Sequence, residues 1–156
     1  MHMNTEDIVA IHQLMSLYGH YMDQTSSKRY RAIGRPLEFG DVFIEDIEFR
    51  YADIVLKGRM EFERMAPTRA YADLPDDTQG ETLAHYVTNI YVYEEGGQTR
   101  VHAKWFVPYR PHGGVGTGDY HNVVVKTAAG WRIASIDARV RSFPGEQLAK
   151  PKLDAR

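Results

Sequence analysis

The 156-residue chain is 43% hydrophobic, enough for one core and too little for two independent ones. Its 19 Lys and Arg stand against 21 Asp and Glu, a formal charge of -2, so no basic field exists to hold a phosphate backbone and nucleic acid is not an expected partner. The absence of cysteine excludes disulfides, thiolate catalysis and Cys-ligated zinc.

The opening "MHMNTEDIVAIHQLM" has no basic region followed by an apolar run, and nothing in the chain approaches a membrane span, so a cytoplasmic location and no membrane partner are expected. Asn4 can cap a helix from about Thr5 to Met22, with Glu6 and Asp7 in its first turn. Ile8, Ile11, Leu14, Met15, Tyr18, Tyr21 and Met22 recur at helical spacing and predict one buried stripe. A polar turn, "DQTSSK", follows. In "RYRAIGRPLEFGDVF" the residues Gly34, Pro36 and Gly40 punctuate a loop with at most a short helix before Phe43. A strand is expected around 46–52, with a connection through Gly58. The stretch "RMEFERMAPTRAYADL" reads as helix interrupted at Pro67.

After "PDDTQG" the pattern changes to alternating strands, over about 82–94, 98–110, 118–127 and 131–142, joined by "EEGGQ", "PHGGVGTG" and "TAAG". The glycine-rich "HGGVGTGDY" is expected as a flexible loop at a cavity mouth, since no helix follows to make its G-x-G a phosphate cradle. Helices first and a run of meandering strands after predict an α+β architecture: a strongly curved, mixed or antiparallel sheet closed by N-terminal helices into a cone-shaped barrel. One domain over residues 1–145 and a polar tail over 146–156 are expected. Ten tyrosines against six Phe and two Trp suit a half-polar pocket, because a phenol is a flat apolar body with a donor at its tip.

With strict alternation, Leu83, His85, Val87, Asn89 and Tyr91 share one face of the first long strand, and Ala84, Tyr86, Thr88, Ile90 and Val92 the other, which makes both faces mostly buried. A neutral imidazole on such a surface needs a partner for each ring nitrogen. Asp23 is a candidate, one residue beyond the apolar stripe of the first helix, where the macrodipole disfavours a carboxylate unless a donor compensates. An Asp that orients a His is the usual construction of a general base. Each residue alone also has a plain structural reading: His85 as a satisfied core histidine, Asp23 as a turn or capping residue.

The segments "YGHYMD" ending at Asp23, "DVFIEDIEFRY", "LKGRMEF", "ETLAHYVTNI" and "GWRIASIDARVR", in this order, resemble the SnoaL-like branch of the nuclear-transport-factor-2-like superfamily over roughly residues 6–142. Within it the chain is most similar to scytalone dehydratase, bile-acid dehydratase and hexachlorocyclohexane dehydrochlorinase. The resemblance implies a conical pocket, a homo-oligomer (a trimer first, a dimer as the alternative), and neither metal nor organic cofactor. It pairs Asp23 and His85 as a catalytic dyad, puts Tyr18 and Tyr51 in the pocket wall, Tyr18 as a further catalytic residue and Tyr51 as a substrate-binding one, and makes Arg141 a substrate-binding residue. Where the dehydratases place a His or Asp, this chain has Tyr109, which can donate a hydrogen bond but is a poor base near neutral pH. Asn89, on the face expected for His85, is a further binding candidate.

The resemblance implies a cofactor-independent dehydratase-like lyase or isomerase acting on a hydrophobic cyclic small molecule. The fold also serves non-catalytic ligand-binding and assembly modules, such as the structural subunits of ring-hydroxylating dioxygenases, and that is the alternative. His102, His112 and His121 with Asp119 raise the question of a metal, but no His-x-His or His-x-x-x-His pair is present, and none is expected.

Overall fold

A computed structural model describes residues 3–26, 34–69, 84–109 and 114–142. In chain order its elements are α1 (Thr5–Ser26), α2 (Phe39–Val42), β1 (Phe43–Tyr51), β2 (Ile54–Lys57), α3 (Gly58–Arg69), β3 (Tyr86–Glu95), β4 (Gln98–Tyr109), β5 (Gly114–Thr127) and β6 (Gly130–Ser142). The continuation of the second long helix beyond Arg69, Leu83, His112 and the 146–156 tail lie outside the described residues. Among the described residues no helix is long and apolar enough to cross a membrane.

The α1 helix starts as expected: the Asn4 side chain accepts the Asp7 N–H at 2.8 Å, satisfying one of the free donors of the first turn. It runs one turn further than the apolar periodicity, so Asp23 opens its last turn instead of following its end. Ile11, Leu14, Met15, Tyr18, Tyr21 and Met22 are buried, but Ile8 is 38% exposed, at the edge of the stripe. The helix α3 continues through Pro67, where the sequence predicts an interruption.

The strands form one mixed six-stranded sheet in the order β2-β1-β6-β5-β4-β3. All neighbours are antiparallel except β1 and β6, which run parallel. Strand β2 is absent from the sequence reading: Ala52, at φ 53, turns β1 back on itself, and four residues are too few for alternation to register. The sheet is curved but not closed, since β2 and β3 remain its two edges. Helix α1 packs against both β3 and β6, which are separated by two strands, so the sheet bends around it. Register shifts between Thr88 and Tyr91 and between Thr117 and Gly118 supply bends of the kind bulges introduce.

The core fills the concave side. The α1 stripe meets Val101, Ala103, Trp105 and Val107 of β4, Tyr120 and Val124 of β5, and Ile136 and Ala138 of β6. At the other end Phe39, Phe43, Phe49 and Phe62 pack ring against ring, with centroids 5.0 to 5.9 Å apart, the spacing aromatic pairs favour. The "GVGTG" run is strand β5 and not a loop. Its glycines have a packing reason at Gly118, where an added Cβ would lie 2.5 Å from the Trp105 ring and 2.1 Å from the Arg139 carbonyl oxygen.

Candidate active site

Helix α1 reaches the sheet edge through a close approach. A Cβ at Gly19 would stand 2.9 Å from the backbone oxygen of His85 and 3.8 Å from Val87 Cγ2, so only a glycine lets the helix backbone touch the chain at that point. One turn later Asp23 meets His85. Its Oδ1 accepts the backbone N–H of His85 at 2.8 Å and lies 2.8 Å from the ring Nδ1. The carboxylate thereby fixes both where residue 85 sits and how its ring is turned. The two side chains retain only 10% and 14% of their exposure, which keeps solvent from competing for the bond.

A proton on Nδ1, shared with the carboxylate, leaves the Nε2 lone pair as the free basic position of a neutral imidazole. The Asp23 carboxylate thus holds the His85 ring in one orientation. Gly19 escaped the reading of the sequence, although a glycine in the middle of an otherwise strong helix, costing about 1 kcal/mol relative to alanine, was the visible sign.

Tyr18 is 1% exposed, and its hydroxyl donates to that of Tyr120 at 3.4 Å. Burial pushes its pKa up, with Tyr51 nearby adding to the rise and the Tyr120 bond opposing it; burial likewise raises Tyr51. Both phenols therefore stay protonated and act as donors. They form a second polar group on the concave side and do not bond directly to the dyad. Asn122, 1% exposed, gives its amide to Met15 Sδ at 3.6 Å, and its Oδ1 has no partner.

Two of the candidates, Asn89 and Arg141, do not join the dyad. Asn89 is exposed at φ 51, and the register shift between Thr88 and Tyr91 exchanges the two faces of β3. Beyond it Ile90 and Val92 pack on the core while Tyr91 is 65% exposed. Asn89 consequently does not share a face with His85, and the outer face, with Tyr86 at 48% exposure, is not buried. A bulge of this kind defeats strict alternation, and asparagine tolerates the left-handed backbone it needs.

Arg141 stands on the convex face, opposite the dyad, with its Nε bonded to Asp119 Oδ2. Asp119, 5% exposed, also lies 3.3 Å from His102 Nε2. Burial raises the Asp119 pKa, but the Arg141 and His102 bonds outweigh it and the net shift is downward. Tyr109 ends β4, and its side chain lies outside the described residues. Among the described residues no cluster of three or more His, Cys, Asp or Glu could hold a metal ion. A depression of about 760 Å³ lies beside α3, lined by Glu45, Asp46, Lys57 and Arg59 among others, and includes neither Asp23 nor His85.

Residues 3–137 match the SnoaL-like domain family. Among solved structures, the chain resembles a putative scytalone dehydratase from Novosphingobium aromaticivorans at 18% identity and TM-score 0.65, covering 96% of this chain and 94% of that one. A putative aromatic ring hydroxylase from the same organism shares 23% identity at TM-score 0.64, over 91% of this chain and 94% of that one. A protein of unknown function with a cystatin-like fold from Nostoc punctiforme shares 18% identity at TM-score 0.67, over 92% and 98%. No curated protein matches by sequence. At these identities the likeness is one of fold.

Proposed function

We propose that this chain, which belongs to the SnoaL-like domain family, is a cofactor-independent lyase or isomerase that removes a carbon-bound proton from a hydrophobic, cyclic small molecule. The observation that carries this reading is the double use of one Asp23 oxygen, 2.8 Å from both the backbone N–H and the ring Nδ1 of His85. The backbone bond fixes where residue 85 sits, the Nδ1 contact fixes how its ring is turned, and Nε2 is the proposed base.

In the proposed step Nε2 takes a proton from carbon next to a carbonyl, and the C–H electron pair moves into an enolate whose charge rests on the carbonyl oxygen. Asp23 stabilises the imidazolium that results. The protonated phenols of Tyr18 and Tyr51, with Tyr109 at the end of β4, are the proposed donors for that oxygen. When a β-hydroxyl leaves and takes the proton back from the imidazolium, water is eliminated and an enone forms; return of the proton to a different carbon instead gives a shifted double bond. We further assign the protein to the cytoplasm as a homo-oligomer, with the exposed Tyr86, Tyr91 and Phe106 of the convex face as the contact; light scattering of the purified chain measures this directly.

The test is deuterium incorporation from heavy water into cyclic ketones, followed by NMR. His85→Ala and Asp23→Asn are each expected to slow exchange by on the order of a hundredfold with the fold intact. Wild-type rates in both variants would remove the dyad from the chemistry, and tight ligand binding without exchange in the wild type would return the chain to a binding module.

A further inference from the structure

His85 stands outside the sheet, and strand β3 begins at the next residue, Tyr86. That strand is an edge, hydrogen-bonded to β4 alone. Three rungs, Tyr86↔Phe106, Val87↔Trp105 and Thr88↔Lys104, join it to β4 before the register shifts at the bulge that holds Asn89 at φ 51. The residue that carries the proposed base is therefore attached to the sheet through a short piece of ladder with a break at its far end. Such a segment frays more readily than the centre of a sheet.

The two faces of that piece are unequally supplied with contacts. On the concave face Val87 lies against α1, with its Cγ2 3.8 Å from where a Cβ on Gly19 would stand. On the convex face Thr88 is exposed, and its hydroxyl bonds the side chain of neighbouring Asn89 at 3.2 Å. Tyr86 and Phe106 remain, and their rings stack with centroids 4.6 Å apart and planes 5° from parallel. The rings stay 48% and 36% exposed, so each covers chiefly the other. The cross-strand neighbour of Phe106 on its other side is Thr117, a short residue whose hydroxyl lies 3.3 Å from that of Ser142, and the stack falls to Tyr86.

We infer that Tyr86 and Phe106 are positioning residues for the dyad: their stack clamps the first rung of β3 from the convex side and so keeps His85 on Asp23. The catalytic part of this rests on the reading of the dyad as the reacting site. Asp23 holds residue 85 through its backbone N–H and its ring Nδ1, both at 2.8 Å. The stack holds residue 86, one peptide away, from the opposite face of the sheet. Opening of the edge strand as far as the bulge breaks both grips together, so each strengthens the other. Near reacting atoms a displacement of about 1 Å costs on the order of a hundredfold in rate, and a clamp that touches no substrate still acts on the chemistry through the backbone it holds.

The experiment is amide hydrogen exchange of the full chain, followed residue by residue by NMR with no substrate present. Tyr86→Ala is expected to speed exchange of the His85 amide by roughly threefold to tenfold, the worth of one aromatic pair, while the amides of buried Val124 and Ile136 keep their rates. Phe106→Ala is expected to give the same acceleration and the double variant no more than either, since all three remove one stack. Tyr86→Phe keeps the ring and is expected to restore slow exchange. Tyr91→Ala takes a different ring from the same convex face and is expected to leave His85 slow, which separates the stack from the proposed contact between copies. Equal acceleration at Val124 and Ile136, additive effects of Tyr86→Ala and Phe106→Ala, or a Tyr91→Ala effect as large as that of Tyr86→Ala overturns the inference. Deuterium uptake by α-tetralone reads the dyad separately. Uptake by the wild type with His85 exchange unmoved by Tyr86→Ala defeats this inference alone, and the local acceleration without uptake in the wild type defeats the proposed chemistry alone.

Discussion

Replacing Gly19 by alanine sets two effects of known sign against each other. In an isolated helix the change is stabilising by about 1 kcal/mol. Here the new Cβ would stand 2.9 Å from the His85 carbonyl oxygen, where 3.4 Å is an ordinary contact, so helix and strand must part by about half an ångström, a strain of the kind that costs about 1–3 kcal/mol. The two nearly cancel in the folding free energy, leaving the variant between unchanged and about 2 kcal/mol less stable. They do not cancel in the site. Asp23 lies one turn further along the same helix, and both of its contacts to His85, at 2.8 Å, lengthen towards the limit of about 3.2 Å for an N–H···O bond. The expected signature is a near-native urea midpoint together with an upfield shift of the His85 backbone amide and loss of the slowly exchanging Nδ1 proton in NMR spectra. A variant more stable by the full helix-propensity gain, with both His85 signals unmoved, would refute the argument that Gly19 sets the dyad.

Gly118→Ala places a Cβ against a backbone carbonyl and a Trp ring at once, neither of which yields cheaply, and is expected to lose about 3 kcal/mol or more in urea unfolding. Arg141→Ala removes one of two partners from buried Asp119; because Arg141 is 64% exposed, only a small drop in urea midpoint is expected, and the His85 signals stay unchanged because the two groups lie on opposite faces of the sheet. Asp41 is held at about 2, first by the Arg35 hydrogen bonds and then by the Glu38 N–H. A depressed carboxylate stabilises the fold above its unfolded value near 3.9 and loses that contribution as the pH falls through about 2. Arg35→Ala is therefore expected to lower the melting temperature slightly at pH 7 and to become indistinguishable from wild type near pH 2.

The sequence carried the elements whose signals are periodic or local. The α1 cap, its apolar stripe, the four long strands and their hairpins could be read because helical spacing, alternation and paired glycines act within a few residues. Strand β2 could not, since four residues between two turns show no period. Gly118 was visible as a glycine, but its reason, the Trp105 ring beneath it, comes from the neighbouring strand. Alternation placed Val87 beside His85 on the concave face correctly and then failed at Asn89, because one left-handed residue shifts the phase of everything after it.

The dyad shows the same division more sharply. No spacing links residue 23 to residue 85; the pair was legible only through likeness to a family, and what the likeness implied for Arg141 is not what the fold delivers. In this chain the arginine's partner is Asp119, and alternation along β5 and β6 puts both on the convex face, opposite the buried Tyr120 and Ala138. Among the described residues the polar groups on the concave side are instead Asp23, His85, Tyr18, Tyr51, Trp105 and Asn122, all of them donors or neutral acceptors apart from Asp23. Among the described residues the proposed site has one anionic group already committed to a histidine and no cation to hold a carboxylate or phosphate. Its chemistry favours a neutral substrate whose oxygen accepts hydrogen bonds, and an acidic ligand that bound there as tightly as its neutral ketone counterpart would show that this account of the site has the wrong face.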